Sequence, residues 1–436
     1  MSNATGGEQS AEATHGQGAT MSSANVDASA FIDPNDLVDP ARYAQHGYPH
    51  EAWTRLRADA PVAYVEAPGY KPFWAITKYA DINHIASQPL RFSNAQGITL
   101  AREGAGPMPP SEMIVLIDPP HHGPMRRVVN RRFTPRAVRE RHDEVERIAV
   151  DIIDRAATAD GASEGNFVTS IAAPFPLAVI AWIIGVPSND WESLFRWTNE
   201  IIGKDDPEYR RPGETPGQTI KRARGELHGY FEQLIAQRRQ EPRDDLVTEL
   251  LGGTVDGAPL TDEQLLSYCE LFVEAGNETT RNAISGGLLA FCEHPTEWEK
   301  LRANPELLPL AADEIVRWVS PISLFTRVAT EDCEVRGVSI AAGDQLALYF
   351  ASANRDEDVF DDPFAFRIDR QPNPHLGFGF GEHFCLGAHL ARIEIETIFR
   401  HLVARLEWFE LAGAIERLES AVNGSIKQLP LRYRLA

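Results

Sequence analysis

A chain of 436 residues, 43% hydrophobic and 24% charged, has the composition of a soluble globular protein and enough apolar material for one large domain or several average ones. Its formal net charge of -21 disfavours nucleic acid as a general partner. Four scattered cysteines, Cys269, Cys292, Cys333 and Cys385, argue against a disulfide framework and fit a reducing cytoplasm. No uninterrupted apolar run approaches the ~18 residues of a membrane span.

Residues 1–30 are rich in Ser, Ala, Gly, Thr and Asn and lack a basic stretch leading into an apolar run. They predict a disordered tail rather than a secretory signal, followed by one domain over 31–436. A short helix is expected near Glu51 to Ala58. Val62-Ala63-Tyr64-Val65 and Phe73-Trp74-Ala75-Ile76 flank Pro68-Gly69 and predict a β-hairpin. Residues 97–110 hold three glycines and three prolines and predict a mobile loop. Arg126, Arg127, Arg131, Arg132, Arg136, Arg139 and Arg141 then crowd together in an otherwise acidic chain. Taken plainly, they are a solvated helix face. Helical periodicity runs from Met125 to His294, broken at 161–165, 174–176, Pro187, 205–217, Pro242 with Asp244, and 252–259.

Thr261 and Gln264 form a capping box that opens a long helix, which His294-Pro295 stops. Such a helix runs about 45–50 Å. Its middle reads Phe272-Val273-Glu274-Ala275-Gly276-Asn277-Glu278-Thr279-Thr280. Glycine weakens a helix, and threonine can bond back to the carbonyl one turn earlier. An acid and an alcohol at a local kink would suit proton handling; the plain alternative is an exposed face with a harmless glycine. The last third mixes helices with strands at Val335 to Ile340 and Gln345 to Phe350.

Phe378-Gly379-Phe380-Gly381-Glu382-His383-Phe384-Cys385-Leu386-Gly387 sets one cysteine in a glycine-rich loop, just before a helical pattern beginning near Ala388. Glycines let a backbone turn tightly and approach a flat macrocycle. Backbone N–H groups and a helix N-terminus stabilise a thiolate. Other readings are a buried structural cysteine, or a zinc site with His383 and His389, for which no second ligand pair lies nearby. The loop resembles the haem-binding signature of the cytochrome P450 family, in which a cysteine thiolate is the axial iron ligand.

The resemblance covers about 31–436, with its motifs in family order. It implies a mainly α fold with small β-sheets, a single large cytochrome P450-type domain that holds haem b (iron protoporphyrin IX) between the long central helix and the cysteine-loop helix. It implies monooxygenation, with one atom of O2 entering a C–H bond and the other leaving as water. Cys385 would be the axial ligand, Phe378 and Gly387 would shape its loop, Ala275 and Gly276 would border the oxygen pocket, and Glu278 and Thr279 would be the acid–alcohol pair that handles protons. Glu314 and Arg317 lie three apart on one helix face and resemble a structural Glu-x-x-Arg motif, which Arg367 would complete. Haem propionates need donors, and His122, Arg126, Arg327 and His383 match the positions that supply them.

Substrate-lining positions implied by the resemblance lie in 98–113, 194–202 and 423–426, and include Leu271, Ala275, Ile322, Leu324, Phe325 and Ile426. Most are apolar, which implies a hydrophobic substrate held by shape. Asn277 to Asn282 is similar to bacterial members acting on steroids, terpenoids, alkanes or branched lipids. Nothing in the chain reads as a flavin, nicotinamide or iron–sulfur domain, so electrons would come indirectly from NAD(P)H through a ferredoxin reductase and ferredoxin. The arginines after Arg126 are the candidate docking face for that acidic partner. A cytoplasmic monomer without a membrane anchor is expected. Alternatives are a peroxide-using or isomerase member of the haem-thiolate class, a tailoring oxidase of a secondary-metabolite intermediate such as a macrolide or peptide, and a haem-based sensor or carrier.

Overall fold

Thr261 and Gln264 cap each other reciprocally and launch a continuous helix, Asp262–Glu293, of 32 residues. At 1.5 Å per residue it runs about 48 Å, across the whole molecule. The helices Pro174–Ile184, Leu308–Val319 and Ala388–Arg405 pack around it, and nineteen of its residues are buried. The computed structural model describes residues 1, 26–157 and 162–435.

The expected hairpin forms, with Val62–Val65 antiparallel to Phe73–Ile76 and Gly69 in its turn at φ +78°. It belongs to a five-stranded sheet that continues through Gln345–Tyr349 and Leu324–Ala329 to Phe92–Ser93. The helical mass and this sheet bury separate apolar clusters. Among the described residues, no helix is long and apolar enough to cross a membrane.

Several boundaries differ from expectation. Residues 2–25 of the expected tail lie outside the described residues, but Val26 to Ala30 are part of the fold. The Val26 carbonyl accepts the Tyr64 N–H at 2.9 Å, and Ala28 is fully buried beside the sheet. Val335 to Ile340 is a hairpin of two strands, because Arg336 and Gly337 both take positive φ and reverse the chain. The expected break at 174–176 falls at a helix start, Pro174–Ile184, after a turn at Ala173. Pro174 sits in its first turn, where no N–H is needed. Ala162–Asn166, expected as a break, is a strand paired with Pro430–Leu435. The loop 97–110 is tied to the sheet over its first half, through Thr326 N–H to the Ile98 carbonyl at 2.9 Å and Lys71 N–H to the Ala101 carbonyl at 2.9 Å.

Candidate active site

The cysteine loop is set by backbone conformation. Gly379 and Gly381 take φ +71° and +72°, and a Cβ on Gly381 would collide with the Ala86 carbonyl. The Cys385 N–H donates to the Phe378 carbonyl at 2.9 Å, which closes the loop on itself. Arg392, one turn into the next helix, stacks 4.5 Å over the Phe378 ring. Arg126 reaches across to donate to the carbonyls of Glu382 at 3.3 Å and Phe384 at 2.7 Å. Cys385 keeps open surface although protein surrounds it. Burial pushes its thiol up; the Gly387 N–H and the charges of Arg126 and Arg392 oppose that and favour the thiolate.

Beside this loop lies a cluster of donors that the carboxylates of the protein answer only in part. His122 and His383 are in ring contact, with centroids 4.3 Å apart, and His122 is 1% exposed. His122 Nδ1 and His383 Nε2 are buried without a hydrogen-bond partner, and the Glu382 carboxylate stops 3.5 Å from His122. Burial and the neighbouring cations His122, Arg327 and Arg126 hold His383 down at about 3. Arg327 is buried too, and its charge is answered only by the field of Asp118. Buried polar groups are normally paired, so orphaned donors and uncompensated guanidinium charge fit an acidic group of another molecule. The two carboxylates of a haem would fit that requirement, and a cysteine thiolate is a ligand type that haem iron takes. Among the described residues, no three His, Cys, Asp or Glu side chains gather to hold a bare metal ion, so the zinc arrangement with His389 has no support.

The central helix leaves an accessible strip at Leu271, Ala275 and Thr279, each one turn from the last. The Thr279 hydroxyl donates to the Ala275 carbonyl at 2.9 Å. Gly276 points elsewhere. A Cβ there would lie 2.8 Å from Ile180, so the close approach of the helix Pro174–Ile184 favours this glycine. Glu278 is 2% exposed and paired with Arg281, and Ser425 Oγ donates to it at 2.6 Å. Asn282 in turn donates to Ser425 Oγ at 2.8 Å, and Arg281 to Asn199 at 3.0 Å. Arg281 was legible as a partner three residues on. Ser425 was not, because it is 147 residues away.

Glu314 and Arg317 form a fully buried bidentate pair, with both contacts at 2.7 Å. The residue that completes the set is Arg370, whose Nε meets both Glu314 oxygens at 3.2 Å. Arg367 gives only its backbone N–H at 2.9 Å, and its side chain is 39% exposed. The segment turns between the two residues, which sends Arg370 inward. The arginine cluster also divides. Arg132 is buried on Glu249 at 2.6 Å and Asp244 at 3.1 Å, and Arg141 donates to the carbonyls of Arg132 and Ala137. Arg127, Arg131, Arg136 and Arg139 remain on the surface.

Of the substrate positions, Ile322 and Phe325 are half-buried. Phe325 and Arg327 share one face of their strand, so Phe325 borders the donor cluster. Leu324 alternates to the other face and is fully buried against the N-terminal cluster, so it does not line this site. Ile426 is 4% exposed within the main core.

The sequence profile described as cytochrome P450 matches residues 41–427. Steroid C26-monooxygenase of Mycobacterium tuberculosis is 39% identical over 415 residues, 91% of this chain and 92% of that protein. Linalool 8-monooxygenase of Pseudomonas putida is 34% identical over 90% of this chain and 97% of its own length. The structure of Mycobacterium marinum cytochrome P450 CYP268A2 in complex with pseudoionone superposes with a TM-score of 0.83 at 32% identity, covering 92% of this chain and 98% of that one. A match this complete, on a fold that sets a cysteine loop at the start of a helix packed on the central one, places the chain in the cytochrome P450 family of haem-iron monooxygenases.

Proposed function

We propose that the chain inserts one atom of O2 into a C–H bond of a hydrophobic steroid, terpenoid or branched-lipid substrate, with electrons passed from NAD(P)H through a ferredoxin reductase and ferredoxin. The balance is R–H, O2, two electrons and two protons to R–OH and water. The observation that carries this reading is the pair of partnerless ring nitrogens of His122 and His383, with the buried charge of Arg327, beside Cys385. Haem bound there supplies oxygen activation under thiolate ligation. Cys385 ligates, with Arg126 bracing its loop. His122, Arg327 and His383 hold the propionates. Thr279 gives a proton-bearing hydroxyl on the open strip, kept in place by the Ala275 carbonyl. Glu278, anchored by Arg281 and Ser425, holds the acid one residue away.

Leu271, Ile322 and Phe325 present apolar surface to the substrate, and relatives named for a steroid and for linalool support the substrate class. Arg127, Arg131 and Arg139 are the positive face offered to the ferredoxin. A cytoplasmic monomer suits the four unpaired cysteines. The test is the absorption spectrum of the reduced protein under carbon monoxide. The strongly red-shifted thiolate band should appear in wild type and vanish in Cys385→Ser. Linalool, pseudoionone and a steroid with a C26 side chain are then screened for displacement of iron-bound water and for 18O incorporation from 18O2. A haem-free protein, or a band indifferent to Cys385→Ser, overturns the reading.

A further inference from the structure

Five residues before Thr279 the central helix carries a carboxyl that none of these roles uses. Glu274 is half-buried, next to Ala275 and one turn from Leu271 on the open strip. Its Oε1 is buried and meets no N–H or O–H donor. A second carboxyl, Glu270, lies one turn earlier on the same face of the helix, where two such side chains are neighbours. Glu270 is 3% exposed and anchored from the helix Pro216–Gln240 by Arg224 Nε and His228 Nε2, each at 2.5 Å. Burial, and then the Glu270 charge, push Glu274 up to about 8 against the opposing field of Arg224, so it keeps its proton at neutral pH.

The outer end of this chain is wet: the side chains of Arg224 and His228 are 45% and 31% exposed. The side-chain network of Glu278 differs. Its members Arg281, Ser425, Asn282 and Asn199 are all buried, and among the described residues none of their side-chain hydrogen bonds reaches an exposed group. Between Glu274 and Glu278, Glu274 is the one joined to solvent by a line of titratable groups.

We propose that His228, Glu270 and Glu274 form a second proton path, from the surface of the helix Pro216–Gln240 to the open strip beside Thr279. The proposal rests on the monooxygenase reading, whose balance takes up two protons for each O2 reduced with two ferredoxin electrons. In one passage the Glu274 O–H breaks as its proton leaves toward the pocket. Protonated His228 passes a proton to the Glu270 carboxylate, which hands it on to Glu274, and water reloads His228. No charge accumulates in the interior.

Two measurements keep the path distinct from the reading beneath it. Infrared difference spectra of the holoenzyme need no substrate. They should show a protonated-carboxyl C=O stretch that titrates near pH 8 and is lost in Glu274→Gln; the buried acid Glu394 gives its own band, which the variant retains. Absence of the Glu274 band in wild type, or its survival in Glu274→Gln, overturns the path whatever the turnover. Ferredoxin-driven turnover is then measured with linalool and with a steroid carrying a C26 side chain. Glu274→Gln and His228→Gln should lower product per NAD(P)H at least threefold, raise peroxide release and enlarge the solvent deuterium isotope effect, with probe affinity within twofold and partial recovery in Glu274→Asp. Unchanged coupling and isotope effect refute the path, as does a loss of affinity alone, which would make Glu274 a substrate contact. If wild type forms no product from either probe while the infrared band behaves as stated, the oxygenation reading for these probes is what fails.

Discussion

Arg327 separates a cofactor-holding role from a structural one by the sign of two effects. Its side chain is buried, and the hydrogen bond it makes is from Nη1 to the adjacent Thr326 carbonyl at 2.8 Å. Burial lowers the guanidinium from 12.5 to about 10, with Asp118 opposing. At about 1.4 kcal/mol per pKa unit, the haem-free chain carries about 3 kcal/mol of charge-burial cost. Arg327→Met keeps the apolar stem and removes the charge, at the loss of one hydrogen bond worth about 1 kcal/mol. The haem-free variant should therefore be more stable than wild type by roughly 2 kcal/mol. Haem binding should move the other way, because a hydrogen bond to a charged group is worth about 1.5–3 kcal/mol, a loss of about 10- to 150-fold in affinity. Urea unfolding of the haem-free proteins reads the first effect, and transfer of haem to excess apomyoglobin reads the second. A variant that is destabilised when haem-free, or that releases haem at the wild-type rate, refutes the assignment.

Arg370→Met should destabilise the protein by about 3 kcal/mol by leaving part of a buried charge unanswered, and Arg367→Met by about 0.5 kcal/mol or less, compared by chemical denaturation; equal effects would return Arg367 to the set. Thr279→Ala should divert most electrons from product to peroxide, about a tenfold fall in product per NAD(P)H or more; unchanged coupling rules out its proton role. Charge reversal at Arg131 and Arg139 should slow ferredoxin reduction and flatten its salt dependence, whereas Arg132→Glu should chiefly destabilise the fold; stopped-flow reduction kinetics that ignore the surface pair exclude that docking face. Glu274 is neutral in the fold where the unfolded chain ionises it, so the unfolded state binds fewer protons between about 4.5 and about 8, and stability falls as pH rises through that window. The slope is up to about 1.4 kcal/mol per pH unit, Glu394 adds to it in the same direction, and Glu274→Gln should make it shallower; an unchanged stability–pH curve contradicts the neutral state assigned to Glu274.

Local chemistry was legible wherever one segment contains both partners. The Thr261–Gln264 box, the Pro68-Gly69 hairpin, the cysteine loop, and the Glu314–Arg317 and Ala275–Thr279 pairs each lie within a few residues, so spacing alone brings them together. Failures came where direction depends on packing. Leu324 and Phe325 are adjacent and apolar, and only the sheet decides which faces Arg327. Gly276 gives no sign in the sequence of Ile180, which comes against it from another helix. Arg367 and Arg370 are equal candidates until the chain turns between them. Arg132 belongs to a basic cluster in sequence and to Glu249 in space, 117 residues away. The amino-acid order by itself determined most helices and the cysteine loop, because these depend on backbone propensity and short-range pairing, and the kind of chemistry was legible through the resemblance of its motifs to the family. The tertiary structure alone decided which carboxylate each arginine meets, which donors are left without an anion, and which buried acid keeps a line to water, because burial and charge compensation are set by the groups that folding brings from distant segments.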